Sequence, residues 1–103
     1  MQSSRILISE KISISERFRV ELKVHELNSA LKYPEGVKAR FVLIDVIEKH
    51  PRLLVDNHEP FGFHIHNKLP GNKAYREGLE TEDFNEALEI FWLRVWEILE
   101  NEN

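Results

Sequence analysis

Apolar and polar residues alternate along the first part of the chain, which is the pattern of strands with one buried face. The segment "RILISEKISIS" repeats isoleucine at every second position in two short runs, and "RFRVELKVHE" alternates apolar and charged residues throughout. The apolar side chains of the second segment share one face, namely Phe18, Val20, Leu22 and Val24. The two segments predict a pair of antiparallel strands.

The extended pattern continues through the middle of the chain. Both parities of "VKARFVLIDVIEK" become apolar towards its end, which is typical of a central strand with two covered faces. Strand-like alternation returns in "LLVDN" and, after a break at Glu59 and Pro60, in "FGFHIHN". The sequence therefore predicts strands within residues 5–68 and a turn over residues 69–80.

The C-terminal segment changes to a spacing of three or four residues between apolar positions, which predicts a helix over residues 81–100. Asp83 stands where its side chain can cap the first helical turn. The positions predicted to face the sheet are Phe84, Leu88, Phe91 and Val95. Trp92 and Trp96 widen this apolar stripe beyond what one sheet face easily covers. The helix is therefore either nearly enclosed or also in contact with a second chain.

Strands first and one helix last, without β-α alternation, predict an α+β fold. We expect one domain over residues 1–103, with a four- or five-stranded, mostly antiparallel sheet packed against a long C-terminal helix. The absence of cysteine excludes disulfides, thiolate zinc sites and cysteine nucleophiles. No apolar run is long enough for a membrane span, and the N-terminus lacks a secretory signal pattern. We expect a soluble, cytoplasmic protein.

The net charge of −4 is unevenly distributed. Residues 1–76 carry 13 basic and 9 acidic side chains, whereas residues 77–103 carry 1 and 9. The basic segment, residues 1–76, can bind phosphate, whereas the acidic segment, residues 77–103, would repel it. The charge distribution thus neither requires nor excludes a nucleic-acid partner.

Three of the five histidines fall in the stretch "DNHEPFGFHIHNKLPG". His64 and His66 are two residues apart in a predicted strand, so both rings leave the same face, with Cα atoms about 6.5 to 7 Å apart. One cation or one phosphate can bridge that span. A chain reversal at the Glu59–Pro60 break would bring His58 and Asp56 beside the pair.

One interpretation of these residues is a metal site. In a chain without cysteine, a divalent cation such as Zn²⁺ has to be held by histidine and carboxylate. The protein would then be a metal-dependent hydrolase with an open position for water. The candidate ligands are His58, His64, His66 and Asp56.

A second interpretation is a ribonuclease that needs no metal or other cofactor. One neutral imidazole would take a proton from a ribose 2′-hydroxyl, and a protonated imidazole would supply one to the leaving 5′-oxygen. Histidine suits both roles because its unperturbed pKa is about 6.5. Basic side chains would stabilise the added phosphoryl charge. The candidate catalytic residues are His58, His64, His66, Lys68 and Arg76.

A third interpretation gives the histidines no catalytic role. They would form the polar face of an ordinary strand, with hydrogen-bonded rings. The protein would then act as an interaction module, using the surplus apolar surface of its C-terminal helix.

The stretch "VDNHEPFGFHIHNKLP" also resembles part of the TumE-type toxin family, small proteins of toxin-antitoxin modules. In that family an aspartate-asparagine pair ends a strand, and a histidine-rich stretch follows before the last helix. The resemblance covers residues 41–99 in the order of elements. On this resemblance, Asp56 and Asn57 match the aspartate-asparagine pair and are the candidate binding residues. His58 matches the first histidine after the pair, and His64 and His66 match the later ones.

The resemblance implies a growth-inhibiting toxin that acts on RNA and is neutralised by a separate antitoxin protein. The chain departs from the family pattern at Val55, where an aromatic residue is usual, and it lacks a tandem His-His. Taken together, the residues and the resemblance favour a toxin-like, metal-independent ribonuclease. The expected partners are RNA and an antitoxin protein. We expect no association with a membrane. We also expect a homodimer that forms through the C-terminal helix.

Overall fold

Six strands form one antiparallel sheet in which each strand pairs with its neighbours in sequence. This computed structural model describes residues 4–27, 36–58, 62–67, 75–81 and 83–101. The elements in chain order are β1 (Ser4–Ser13), β2 (Phe18–Leu27), β3 (Val37–Asp45), β4 (His50–His58), β5 (Gly62–Asn67), β6 (Tyr75–Gly78) and the helix α1 (Phe84–Asn101). The predicted α+β class is confirmed, with six strands where four or five were expected.

The additional strand is β6, which lies inside the segment predicted as a turn over residues 69–80. It pairs antiparallel with β5, and His66 stands opposite Arg76 in the register. The four residues "YREG" are too few to show an alternating pattern, so hydropathy alone does not reveal this strand.

Alternation along the strands divides the sheet into two faces. A row of paired residues runs across β2, β3, β4 and β5 through Leu22, Phe41, Val55 and Ile65, and all four side chains are buried. The same face carries most of the core, and α1 covers it. The buried core comprises Phe18, Val20, Leu22, Val24, Val37, Ala39, Phe41, Leu43, Leu53, Val55, Phe63, Ile65, Ala87, Phe91 and Val95.

The helix α1 begins after Asp83, whose Oδ1 accepts a hydrogen bond of 2.9 Å from the backbone N–H of Asn85. A side-chain acceptor at this position satisfies one of the unpaired donors of the first turn. Phe91 is fully buried, and its ring lies 5.8 Å from that of Phe41 between centroids. The predicted sheet-facing positions are confirmed, with Phe91 and Val95 buried and Phe84 and Leu88 partly buried against the core.

The outer side of α1 keeps apolar residues at the surface. Leu93 is 64% exposed and Trp96 is 50% exposed, whereas Trp92 packs partly against the core. The two indole rings stack with centroids 6.0 Å apart. Exposed acidic side chains share the helix, namely Glu86, Glu89, Glu97 and Glu100. In the part of the chain that the structure describes, no helix is long and apolar enough to cross a membrane.

A buried carboxylate joins the β1–β2 turn to the β3–β4 turn. Asp45 accepts a hydrogen bond of 2.8 Å from Arg17 Nε and bonds of 3.1 and 2.9 Å from the backbone N–H groups of Ile47 and Glu48. Burial by itself would raise the pKa of the Asp45 carboxyl. The Glu48 N–H, the Arg17 guanidinium and the Ile47 N–H outweigh that effect and hold the pKa below its usual range.

Candidate functional site

Three titratable residues meet on the face of the sheet that points away from α1. Asp56 of β4 and His64 of β5 stand directly opposite each other in the register. His66 lies two residues further along β5 and therefore on the same face. The antiparallel pairing of β4 and β5 thus brings together residues that lie eight to ten positions apart in sequence.

The side chains of these residues converge on one carboxylate oxygen. His64 Nε2 lies 2.8 Å from Asp56 Oδ1, and His66 Nε2 lies 3.7 Å from the same atom. The two imidazole rings meet edge to face with centroids 4.6 Å apart. Three atoms that could bind a metal ion, one from each residue, all lie within 4.8 Å of one another. We call these residues the Asp–His–His cluster.

His64 is the fixed member of the cluster, since its side chain is only 2% exposed. Its Nδ1 donates a hydrogen bond of 2.8 Å to the carbonyl oxygen of Gly62. A carbonyl can only accept, so Nδ1 carries the proton and Nε2 is the nitrogen that faces Asp56. A neutral ring would present a lone pair to the carboxylate. The arrangement therefore favours a positive charge between the two groups, either a proton or a metal ion.

Gly62 is a part of the site that the sequence reasoning did not identify. Its φ is +63°, a backbone conformation that residues with a Cβ rarely adopt. This conformation sets the direction of the carbonyl group that holds His64. A glycine between two phenylalanines at the start of a strand was the available signal, because glycine within a strand pattern often marks an irregular backbone.

Asn57 serves the opposite face of the sheet from the cluster. Its Oδ1 accepts a hydrogen bond of 2.8 Å from the backbone N–H of Ala39, and its Nδ2 donates one of 2.9 Å to the carbonyl of Val37. The buried amide thereby fastens the end of β4 to β3. The Asp-Asn pair thus divides into a cluster residue, Asp56, and a residue that holds the strands together.

For the remaining candidate site residues, His58, Lys68 and Arg76, the structure describes no side chain. His58 ends β4, and Arg76 lies in β6 opposite His66 in the register. Their side chains, and the whole of Lys68, lie outside the described residues. The structure therefore brings together Asp56, His64 and His66 from the candidate set.

The sheet face around the cluster carries a surplus of positive charge. The register continues from Asp56 to Arg40 on β3 and then to Lys23 on β2. Both cations are exposed, and like charges directly opposite each other are unfavourable. Lys38 adds a third exposed cation on the same face, whereas the exposed Lys11 stands opposite Glu21. This surface is suited to an anionic ligand.

Comparison of the chain with protein-family models, with curated proteins and with solved structures finds no match. No relative therefore supplies a function for the Asp–His–His cluster. The grounds for a function are the geometry of the cluster and the charge of the surrounding face.

Two kinds of chemistry are compatible with a carboxylate beside two imidazoles. Imidazole gains and loses protons near neutral pH, so the cluster can support general acid and base catalysis. Imidazole nitrogen and carboxylate oxygen are also ligands for divalent transition ions. Either chemistry would act on a group that reaches the exposed side of Asp56 and His66, whose side chains are each 24% exposed.

Proposed function

We propose that the protein is a ribonuclease that cleaves RNA at the Asp–His–His cluster. The observation that carries this proposal is the approach of two imidazole Nε2 atoms to Asp56 Oδ1, at 2.8 and 3.7 Å. The positively charged sheet face beside Asp56 supports a phosphodiester substrate, since exposed cations attract a nucleic-acid backbone.

RNA suits this set of residues because it contains its own nucleophile. In the proposed reaction, a base in the cluster removes the proton of a 2′-hydroxyl, and the resulting oxyanion attacks the adjacent phosphorus. The bond from phosphorus to the 5′-oxygen breaks, and that oxygen takes a proton from an acid. The products are a 2′,3′-cyclic phosphate and a 5′-hydroxyl. The protein has to supply proton transfers and charge stabilisation.

The three cluster residues have different access to a substrate. Asp56 and His66 are partly exposed and are the groups proposed to exchange protons with RNA. His64 is buried, and its contact with Asp56 makes it a positioning residue. Arg40, directly across from Asp56 on β3, is the described cation best placed to contact the phosphate.

The test is cleavage of a labelled single-stranded RNA by the purified chain. His66→Ala should lower the cleavage rate about 100-fold or more, because positioned proton transfer is typically worth that much. His25→Ala is the matched control, since His25 lies on the same face but on β2, opposite Lys38. DNA of the same sequence should stay intact because it lacks the 2′-hydroxyl. Equal rates for the two histidine variants, or no cleavage by the wild-type chain, would refute the proposal.

The outer side of α1 supports a second candidate function, which is protein binding. Leu93 and Trp96 expose a large apolar area flanked by glutamates on one helix. Such surface is typical of an interface. The proposed partner is a second copy of the chain or a neutralising antitoxin protein, as in a toxin-antitoxin module.

A further inference from the structure

We infer that the Asp–His–His cluster binds one divalent transition-metal ion, with Zn²⁺ as the preferred ion. Asp56 Oδ1, His64 Nε2 and His66 Nε2 supply three ligand atoms. The fourth position of a tetrahedral ion is then open to water or to a phosphate oxygen. The role of the ion in RNA cleavage rests on the proposed function, whereas its binding can be measured without any substrate.

The spacing of the three donor atoms matches the size of such an ion. Zinc bonds to nitrogen and oxygen are about 2.0 to 2.2 Å long, which places the ligand atoms of a tetrahedral site about 3.4 Å apart. The observed separations of 2.8 and 3.7 Å from Asp56 Oδ1 lie on either side of that value. All three ligand atoms lie within 4.8 Å of one another, so adjustments of about 1 Å bring them to the spacing of a tetrahedral site. Asp56 and His66 are partly exposed and have room to make them.

The hydrogen bond behind His64 is the second observation that indicates a metal ligand. Histidines that bind metals usually donate the other ring N–H to a carbonyl or carboxylate, which fixes the tautomer and the orientation of the ring. His64 Nδ1 donates such a bond to Gly62 at 2.8 Å. The ring is buried, and its Nε2 faces Asp56 Oδ1 at 2.8 Å.

The chemistry of the ligands narrows the choice of ion. Two imidazoles and one carboxylate are a poor match for Mg²⁺ and Ca²⁺, which prefer oxygen ligands throughout. They suit Zn²⁺ and its first-row neighbours. Asp56 is the one carboxylate in the cluster, and Arg40 lies across from it. A bound divalent ion would therefore leave the site positively charged, as phosphate binding requires.

The binding experiment uses the full chain after treatment with a chelator, titrated with Zn²⁺ and with Co²⁺. We expect one ion per chain by calorimetry, and a visible absorption band from Co²⁺ that reports nitrogen and oxygen ligands. His66→Ala and Asp56→Asn should weaken binding at least about 10-fold. These variants are chosen because both side chains are partly exposed, so the fold should survive the change. His25→Ala should bind like the wild-type chain.

Binding should also weaken at acidic pH, because protons compete with the ion for the imidazole nitrogens. Affinity at pH 5.5 should therefore be lower than at pH 7.5. No binding of either ion by the wild-type chain would overturn the inference. Equal binding by His66→Ala, Asp56→Asn and His25→Ala would also overturn it.

RNA cleavage measured in parallel separates this inference from the proposed function. Binding of one ion without cleavage of RNA would support the metal site and refute the ribonuclease. Cleavage that continues unchanged in chelator, in a chain that binds no ion, would support the ribonuclease and overturn the metal site. Cleavage that is lost in chelator and restored by Zn²⁺ would support the metal site and RNA as the substrate, but it would overturn direct proton transfer by Asp56 and His66, whose ligand atoms the ion would occupy.

Discussion

Adjacent residues of β4 serve opposite faces of the sheet. Asp56 points into the Asp–His–His cluster, while the Asn57 amide bonds to the backbone of β3 on the core side. Since successive side chains of a strand alternate in direction, two neighbouring polar residues cannot both belong to one site unless the strand is irregular. The Asp-Asn pair therefore combines one residue of chemical interest with one that secures its strand.

Gly62 provides a prediction about how the site is supported. Alanine at this position would have to adopt a φ of +63°, which costs about 1 to 2 kcal/mol for a residue with a Cβ. Relaxation of that backbone would turn the Gly62 carbonyl away from His64. We expect Gly62→Ala to lower both the free energy of unfolding and the affinity for Zn²⁺, measured by urea denaturation and calorimetry.

Gly36 is the matched control for that substitution, since its φ is +77° and it precedes β3, away from the cluster. Among the described residues, an added Cβ would meet no atom within 4 Å at either glycine, so both changes act through the backbone. Gly36→Ala should lower the free energy of unfolding about as much as Gly62→Ala does, and it should leave the affinity for Zn²⁺ unchanged. Equal loss of binding in both variants would show that Gly62 has no special role in positioning His64.

Asp45 provides a prediction about acid sensitivity. Its pKa in the folded state is below the ordinary value, so its ionised form stabilises the fold above the unfolded-state pKa of about 3.9. That contribution is lost as the pH falls through the folded-state pKa. Asp45→Asn keeps a backbone acceptor but loses the charge that pairs with Arg17. It should cost about 1 to 3 kcal/mol at pH 7.

Urea denaturation at pH 7 and pH 3 tests this prediction. The difference between wild type and Asp45→Asn should shrink at pH 3, because the wild-type carboxyl is then closer to protonation. Asp83→Asn is the control, since asparagine caps a helix about as well as aspartate does. A difference that stays constant between the two pH values would contradict the assigned role of the Asp45 charge.

At the scale of elements, α1 is held to the sheet by a few buried side chains. Phe91 is fully buried and contacts Phe41. Truncating a buried phenylalanine typically costs about 3 to 5 kcal/mol, out of a total of about 5 to 15 kcal/mol for a domain of this kind. Phe91→Ala should therefore destabilise the fold severely in thermal denaturation. Ile47→Ala, in the β3–β4 turn and 63% exposed, should melt close to wild type.

The elements that the sequence predicted well are those with a long, regular pattern. The alternation from Phe18 to Val24 and the spacing of apolar residues in α1 fixed the buried faces correctly. The strand β6 was missed because four residues carry no period. The contact between Asp56 and His64 depends on the register of β4 against β5, which hydropathy constrains only to one parity. The only sign in the sequence of the unusual backbone conformation at Gly62 is a glycine within a strand pattern.

At the scale of the whole molecule, charge is separated between the two sides of the sheet. The face with the Asp–His–His cluster is basic, and the helix on the other side is acidic. We expect self-association through Leu93 and Trp96, because these residues expose apolar area on the helix. Since two acidic helices repel each other, added salt should strengthen the homodimer by screening that repulsion.

Light scattering at low and high salt tests this association. Leu93→Ser and Trp96→Ser should shift the chain towards monomer. Ile47→Ser is the control, because Ile47 is similarly exposed, at 63%, but lies in the β3–β4 turn. A wild-type chain that stays monomeric at all concentrations would rule out the homodimer. A basic antitoxin bound to the same helix would show the opposite salt dependence.

The strand order of the sheet also bears on how the protein folds. Each strand pairs with its neighbour in sequence, so every pairing closes a short loop, which lowers the entropy lost in the folding transition state. The Asp–His–His cluster belongs entirely to the β4–β5 hairpin. Its three side chains can therefore meet as soon as that hairpin closes, before β1 or α1 docks. A metal ion that binds there would accelerate folding by stabilising this hairpin early.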